Sequence, residues 1–419
     1  MKKTTPHGLT IPRAGGLALA LSVLAAAPAA WAQSGLNCGR FFGAYVTSGG
    51  GSAQVCVNNV QDLYETGIRD AGLLFPNYTS TSALRSDVSF GGVKAVMNFA
   101  EGSSALTMQI PDLDVAQTFN GATRADSAKL FRDYLRNNPD LLGRIHKRQA
   151  AISPLSPITG TGGALRNAIG ADFDAGFGET ATQIVGSQGG STGAQNLIGL
   201  GVVVSQHKVA GETVRNVSMP LSYTVRNDID PRRQALVRAG VGVLDTAGTR
   251  SYQARIAGGY RFPMTDEWAL TPMAGFSAAG SEDAAFYVGV ASASVTSTYT
   301  WELGGFDLTM GNMVGGYQTV KLGGRAFATD PNIRNVAFKN GLVLSQPVTI
   351  GGQRLSAEYG FADTRMTGTE LYQKSAQELT FSLGTNRNAL SARSFFRATL
   401  AFQRARDSKG VTLSVNYWF

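Results

Sequence analysis

Two cysteines, three histidines and a scatter of arginines are the residues of this 419-residue chain that could do chemistry. Cys38 and Cys56 lie 18 positions apart. In an oxidising compartment such a pair closes a loop, and by the chain-entropy argument the bond stabilises it by about 3 kcal/mol. A two-thiolate metal site would need further ligands, and no histidine lies nearby, so the spacing predicts a Cys38–Cys56 disulfide and no metal centre. His146 sits inside "RIHKR", residues 144–148, which reads as the solvated face of a basic helix. His207 shares a strand face with Ser205, two residues before it. A hydrolase would need that imidazole beside a nucleophile such as Ser205 or Ser222 and an acid to orient it. No acidic residue occupies a matching position, so His207 reads as an ordinary interior residue. "GTGGALRNAIG", residues 160–170, has the glycines of a phosphate loop, but its spacing is wrong and no buried strand precedes it. The expectation is no catalytic residue, no cofactor and no enzyme.

The elements that must position these side chains are strands. From residue 196 onward apolar residues recur with period two, between turns. Ile198, Leu200, Val202 and Val204 share one face. Val217, Met219, Leu221, Tyr223 and Val225 do the same, opposite Asn216, Ser218, Ser222 and Thr224. Repeating the count along the chain predicts twelve strands. The weakest lies over 284–302, where the apolar phase slips near Ser292 and suggests a bulge or a misplaced boundary.

Twelve amphipathic strands can hide their apolar faces inside a soluble sandwich or turn them outward to lipid around a wet lumen. Strands of about ten residues suit a tilted bilayer crossing. Aromatics near strand ends (Phe262, Trp268, Trp301, Tyr417, Trp418, Phe419) suit an interfacial girdle. Arg238, Arg255, Arg261, Arg397 and His207 fall on the polar phase, which an inward apolar core would forbid and a lumen would welcome. Short turns such as "PMTD", "LGG" and "TIGG" fall at the mouth where the barrel begins and ends. Longer connections, "KLGGRAFATDPNIR" and "TRMTGTELYQKS", fall at the other.

The N-terminus reads as an export signal over residues 1–32: a basic start, an apolar run and "AWA" before Gln33. Three of the 37 Lys and Arg and none of the 29 Asp and Glu lie there, which leaves a mild net charge of about +5 on the rest. Nothing in that balance points to nucleic acid. Residues 33–150 read as a small α+β region. Within it a hairpin turns around "EGSS", and two helical pieces meet at Pro139, with Leu130, Phe131, Tyr134 and Leu135 as one apolar stripe and Leu141, Leu142 and Ile145 as another. Residues 151–195, rich in Gly, Ser and Pro, read as a linker that could thread the lumen.

The last nine residues, "VTLSVNYWF", place Val411, Leu413, Val415, Tyr417 and Phe419 on one face and finish on Tyr417, Trp418 and Phe419. This resembles the C-terminal signature of bacterial outer-membrane β-barrels, where the closing strand ends on Phe and is read by the barrel-assembly machinery. The organisation of residues 150–419 resembles the twelve-stranded translocator of autotransporters, in which a helix or linker threads the lumen and joins the barrel to an exported passenger. The resemblance implies a mainly β protein: a C-terminal antiparallel transmembrane barrel over 196–419 behind a small α+β region, lodged in outer-membrane lipid. The N-terminal region departs from that family, being at most about 130 residues long without β-helix repeats. Three functions follow: anchoring and displaying the small N-terminal domain; a plugged pore for small anionic solutes, biased by the lumen arginines; and, remotely, a barrel-embedded lipid hydrolase or omptin-like protease.

Overall fold

A computed structural model describes residues 41–70, 73–178, 196–230, 232–323, 326–385 and 395–419. The export signal over 1–32, Cys38 and the linker beyond Gly178 lie outside the described residues. Cys56 is disulfide-bonded. Residues 36–419 form one unit, built, among the described residues, from a small antiparallel sheet, four α-helices beginning with the short α1 (Val60–Tyr64), and a closed barrel.

The small sheet has the order β2-β1-β3-β4-β5-β6, from β1 (Phe42–Ser48) and β2 (Gly51–Val57) through β3 (Leu84–Phe90), β4 (Val93–Phe99), β5 (Leu106–Ile110) and β6 (Val115–Phe119). The expected hairpin around "EGSS" is the β4–β5 pair, in which Phe99 faces Leu106. Alternation buries Leu84, Ser86 and Val88 of β3 and Val93, Ala95 and Met97 of β4 on one face. Against that face lie α2 (Arg124–Asn137) and α3 (Pro139–Ile152). Thr123 caps α2 with a capping box to Asp126, and Pro139 opens α3, so the predicted break falls where the chain turns. Phe131, Leu141, Leu142 and Ile145 are buried as their spacing requires, whereas Leu130 points outward.

The twelve predicted strands close into one antiparallel barrel, β7 (Leu197–Val209) to β18 (Ser408–Trp418), with β18 hydrogen-bonded back onto β7. Closure leaves no unpaired edge, the condition for a sheet in hydrocarbon. The apolar phase looks outward: Leu200, Val202, Met219, Leu221, Val241, Ile256, Phe361, Phe381, Phe402 and Leu413 are all exposed. A band of that extent is what lipid covers and water does not tolerate. The expected bulge near Ser292 is absent. β12 (Phe286–Glu302) pairs without a skip with both β11 (Trp268–Ser281) and β13 (Asp307–Lys321). The apparent slip arises because the inward residues at one end, Phe286, Val288 and Val290, are apolar and join the core under the small sheet. The period never changes; what the inner face meets does. Trp418 also departs from expectation. It is 8% exposed and packs on Leu197 inside the barrel, whereas Leu413 of the same strand is 52% exposed. It therefore belongs to no outer girdle.

Candidate functional site: the occupied lumen

β7 begins and β18 ends at one mouth of the barrel, here called the terminal mouth. At the opposite, capped mouth the small N-terminal domain is seated. Five bonds spread around the rim hold it: Val60 N–H to Asp283 O (2.9 Å), Thr249 Oγ1 to Asn58 O (2.6 Å), Thr329 Oγ1 to Pro139 O (2.9 Å), Tyr372 N–H to Ala150 O (2.8 Å) and His146 Nε2 with Ala285 O (3.4 Å). Beneath them one apolar core runs without interruption from Phe41, Phe42 and Phe99 of the domain to Phe286, Met313 and Ile333 of the barrel. His146 is the residue the sequence misplaces. It is fully buried at this junction, between the rings of Phe90 (5.8 Å) and Phe286 (5.5 Å), with Nδ1 3.1 Å from Gln149 Oε1. Burial pushes its pKa below the usual histidine value, outweighing its hydrogen bonds to Gln149 and Ala285. Its neighbours Arg144 and Lys147 do form the solvated face.

The segment read as a linker is structured along its first half. Residues 153–163 make tight, mostly buried turns, and α4 (Ala164–Phe173) then enters the lumen, followed by a single π turn to Gly178. "GTGGALRNAIG" is thus the cap and body of a lumen helix. Its start lies at the capped mouth: Gly162 abuts Leu244 of β9 (Gln234–Thr246), and Thr161 Oγ1 lies 2.8 Å from Ser408 Oγ. Its end lies deep in the barrel. Three sets of contacts fix it. Asn167 donates to Gln253 Oε1 (2.7 Å), and Arg166 donates to Thr159 O (3.1 Å) and Gln373 O (2.6 Å). Asp172 is almost fully buried and forms an ion pair with Arg255 of β10 (Thr249–Pro263), while Tyr317 donates to its other oxygen at 3.0 Å. Arg255 also donates to Ser277 (2.9 Å) and Ser292 (3.2 Å).

The third contact is steric. Gly311 of β13 and Gly341 of β14 (Arg334–Ile350) are direct cross-strand partners. Together they form a notch in the inner wall that receives Phe173 and Phe177, whose rings lie 4.8 Å apart. A Cβ on Gly341 would come within 2.9 Å of Phe173, and one on Gly311 would fall inside the Phe177 ring contact. Lys339 of β14 covers the Phe173 ring at 4.8 Å.

The helix packs along β11, β12 and β13 and leaves the other side of the lumen open. There a cavity of about 550 Å³ is lined by Arg238, Arg255, Arg397 and His207 among others. Arg397 is held by Glu358 at 2.7 Å. Arg261 lies apart, 4% exposed, near the terminal mouth. His207 Nδ1 has no hydrogen-bond partner among the described residues. His207 faces Val214 of β8 (Glu212–Arg226), and Ser222 lies eight residues further along that strand. At about 3.4 Å per residue the two are roughly 27 Å apart along β8, too far for a catalytic pair.

The chain is a plugged barrel.

No protein-family model matches the plugged barrel, and no curated protein does. Among solved structures it is similar to the β-domain of the Bordetella autotransporter BrkA (11% identity, TM-score 0.39, covering 54% of this chain and 98% of that one). It is also similar to the translocator domain of the autotransporter NalP from Neisseria meningitidis (11%, 0.42, 61% and 95%) and to an outer-membrane channel from Pseudomonas putida F1 (10%, 0.37, 55% and 97%).

Proposed function

We propose that the plugged barrel is an outer-membrane anchor that holds its small N-terminal domain at the cell surface. One observation carries this. The chain enters the lumen at the capped mouth as α4, whereas β7 starts at the terminal mouth, beside the end of β18. The N-terminal domain and both ends of the barrel therefore occupy opposite sides of the bilayer. With an even strand count and barrel ends in the periplasm, the domain faces out. The connections are mixed: 322–333 and 369–374 are the long ones at the capped mouth, yet 210–211, 247–248 and 406–407 there are as short as any, and at the terminal mouth the short 264–267, 303–306 and 351–352 stand beside the longer 227–233. Lipid against the apolar belt and recognition of the final strand by the assembly machinery belong to this reading. So does a mechanical rather than catalytic role for the lumen. The test is a protease site inserted at the exposed turn Glu101–Gly102. Cleavage on intact cells by an impermeant protease supports display; cleavage only after the outer membrane is opened overturns it.

The open half of the lumen favours a second reading, a pore narrowed by α4 for small anionic solutes. It predicts ion conductance in planar bilayers that rises when the helix is released from the wall.

A further inference from the structure

At the terminal mouth the inner wall carries two arginines that form no ion pair with any described residue. Arg226 ends β8 and pairs with Gln234 at the start of β9; Gln234 in turn pairs with Arg261 of β10. The two arginines thus stand on one inward row, two strands apart, with about 10 Å between their backbones. Arg261 is 4% exposed, and its Nε has no hydrogen-bond partner among the described residues; Nε and Nη2 of the half-buried Arg226 have none there either. Of the nearby carboxylates, Asp230 and Asp266 both bond Arg232, Arg233 lies 3.6 Å from Asp230, and Glu267 accepts from Thr265 Oγ1 at 2.9 Å. Arg226 and Arg232 act on Arg261 only as like charges. Buried guanidinium groups left unpaired and crowded by their own sign are strongly unfavourable. Elsewhere in this lumen Asp172 is placed on Arg255 and Glu358 on Arg397, while Arg166 is held by the carbonyls of Thr159 and Gln373.

We propose that Arg226 and Arg261 form an oxyanion site at the terminal mouth, for a ligand carrying a phosphate or carboxylate group. The two arginines flank Gln234 on one inward row, and a group with several acceptor oxygens can bridge two planar donor forks as a neutral partner could not. The shared chemistry admits a diffusible anion or an anionic lipid headgroup at the rim. The site stands independently of which side of the membrane the N-terminal domain faces.

The test is isothermal titration calorimetry of inorganic pyrophosphate into the full folded chain in a nonionic detergent at low salt. Binding is expected, weakened at least about tenfold in Arg261→Gln and in Arg226→Gln, in keeping with the strength of charge-assisted bonds. Arg365→Gln, on the exposed capped side, should bind like the parent. Arg226 is half-buried, so its variant keeps the test open if Arg261→Gln does not fold. Repeating the titration in phosphatidylcholine vesicles with and without phosphatidylglycerol separates the sources: competition identifies a headgroup, and unchanged affinity a diffusible anion. No binding by the parent chain, or equal binding by a folded Gln variant, overturns the proposal.

Discussion

Asp172 is the residue on which the position of α4 most depends, and its removal is the most informative perturbation. Its side chain is 1% exposed and that of Arg255 is 12%. Breaking a buried ion pair by removing one partner costs about 3–5 kcal/mol, mostly from the charge left behind. Arg255 would keep Ser277 and Ser292 as acceptors and a little solvent, so Asp172→Asn is expected to cost about 2 kcal/mol, toward the lower end of hydrogen bonds to charged groups. The assay is a double-mutant cycle with Arg255→Gln, read by urea unfolding in detergent micelles. The expected coupling is about 2 kcal/mol, because the two residues act on one contact. A matching cycle on Glu358 and Arg397, which link two strands of the wall, reports barrel stability without touching the helix. In planar bilayers Asp172→Asn should raise conductance, since it loosens the helix from the wall. A coupling below about 0.5 kcal/mol, the usual additivity error for independent sites, would refute the claim that this pair anchors the plug.

Three further outcomes follow from the same geometry. Gly311→Val places a branched side chain in the space of Phe177 and should cost about 1–3 kcal/mol by overpacking, read by urea unfolding, while the outward-facing Gly316, with open space around it, should accept Ala with little change. The N-terminal domain should dock less firmly in acid. His146 stays neutral when buried, and its native pKa lies below the ordinary 6.5. The unfolded chain therefore binds the proton first, so this stability is complete above about pH 6.5 and is lost as the pH falls toward the native value; hydrogen exchange of α3 at pH 7.5 and pH 5 measures it, and Phe131→Leu, away from the histidine, should not alter the slope. Leu413→Arg on the lipid face should cost about 2–4 kcal/mol if the strand's middle lies at the bilayer midplane, and heat-modifiable mobility on a gel should show reduced folding; an unchanged folded band would argue that the belt meets no hydrocarbon.

The sequence by itself determined the barrel. Period-two alternation is a local property of extended backbone, so strand count, the outward apolar face and the inward phase of Arg238, Arg255 and Arg397 could be read from one stretch at a time. The break at Pro139 was legible for the same reason, whereas the Thr123 capping box came into view only with the structure. What tertiary structure decided lies where a residue's meaning depends on a partner far along the chain. "GTGGALRNAIG" carries only a short apolar stripe, Leu165, Ala168 and Ile169, and the wall it packs against is built from strands far along the chain. The glycines at 311 and 341 look like weak points in two strands until their register sets them side by side opposite two phenylalanines. His146 sits among Arg and Lys in sequence, yet one helical turn aims it at Phe286, 140 residues on. Charge compensation is likewise non-local: Asp172 answers Arg255 across the lumen, and only closure of the barrel brings them within reach.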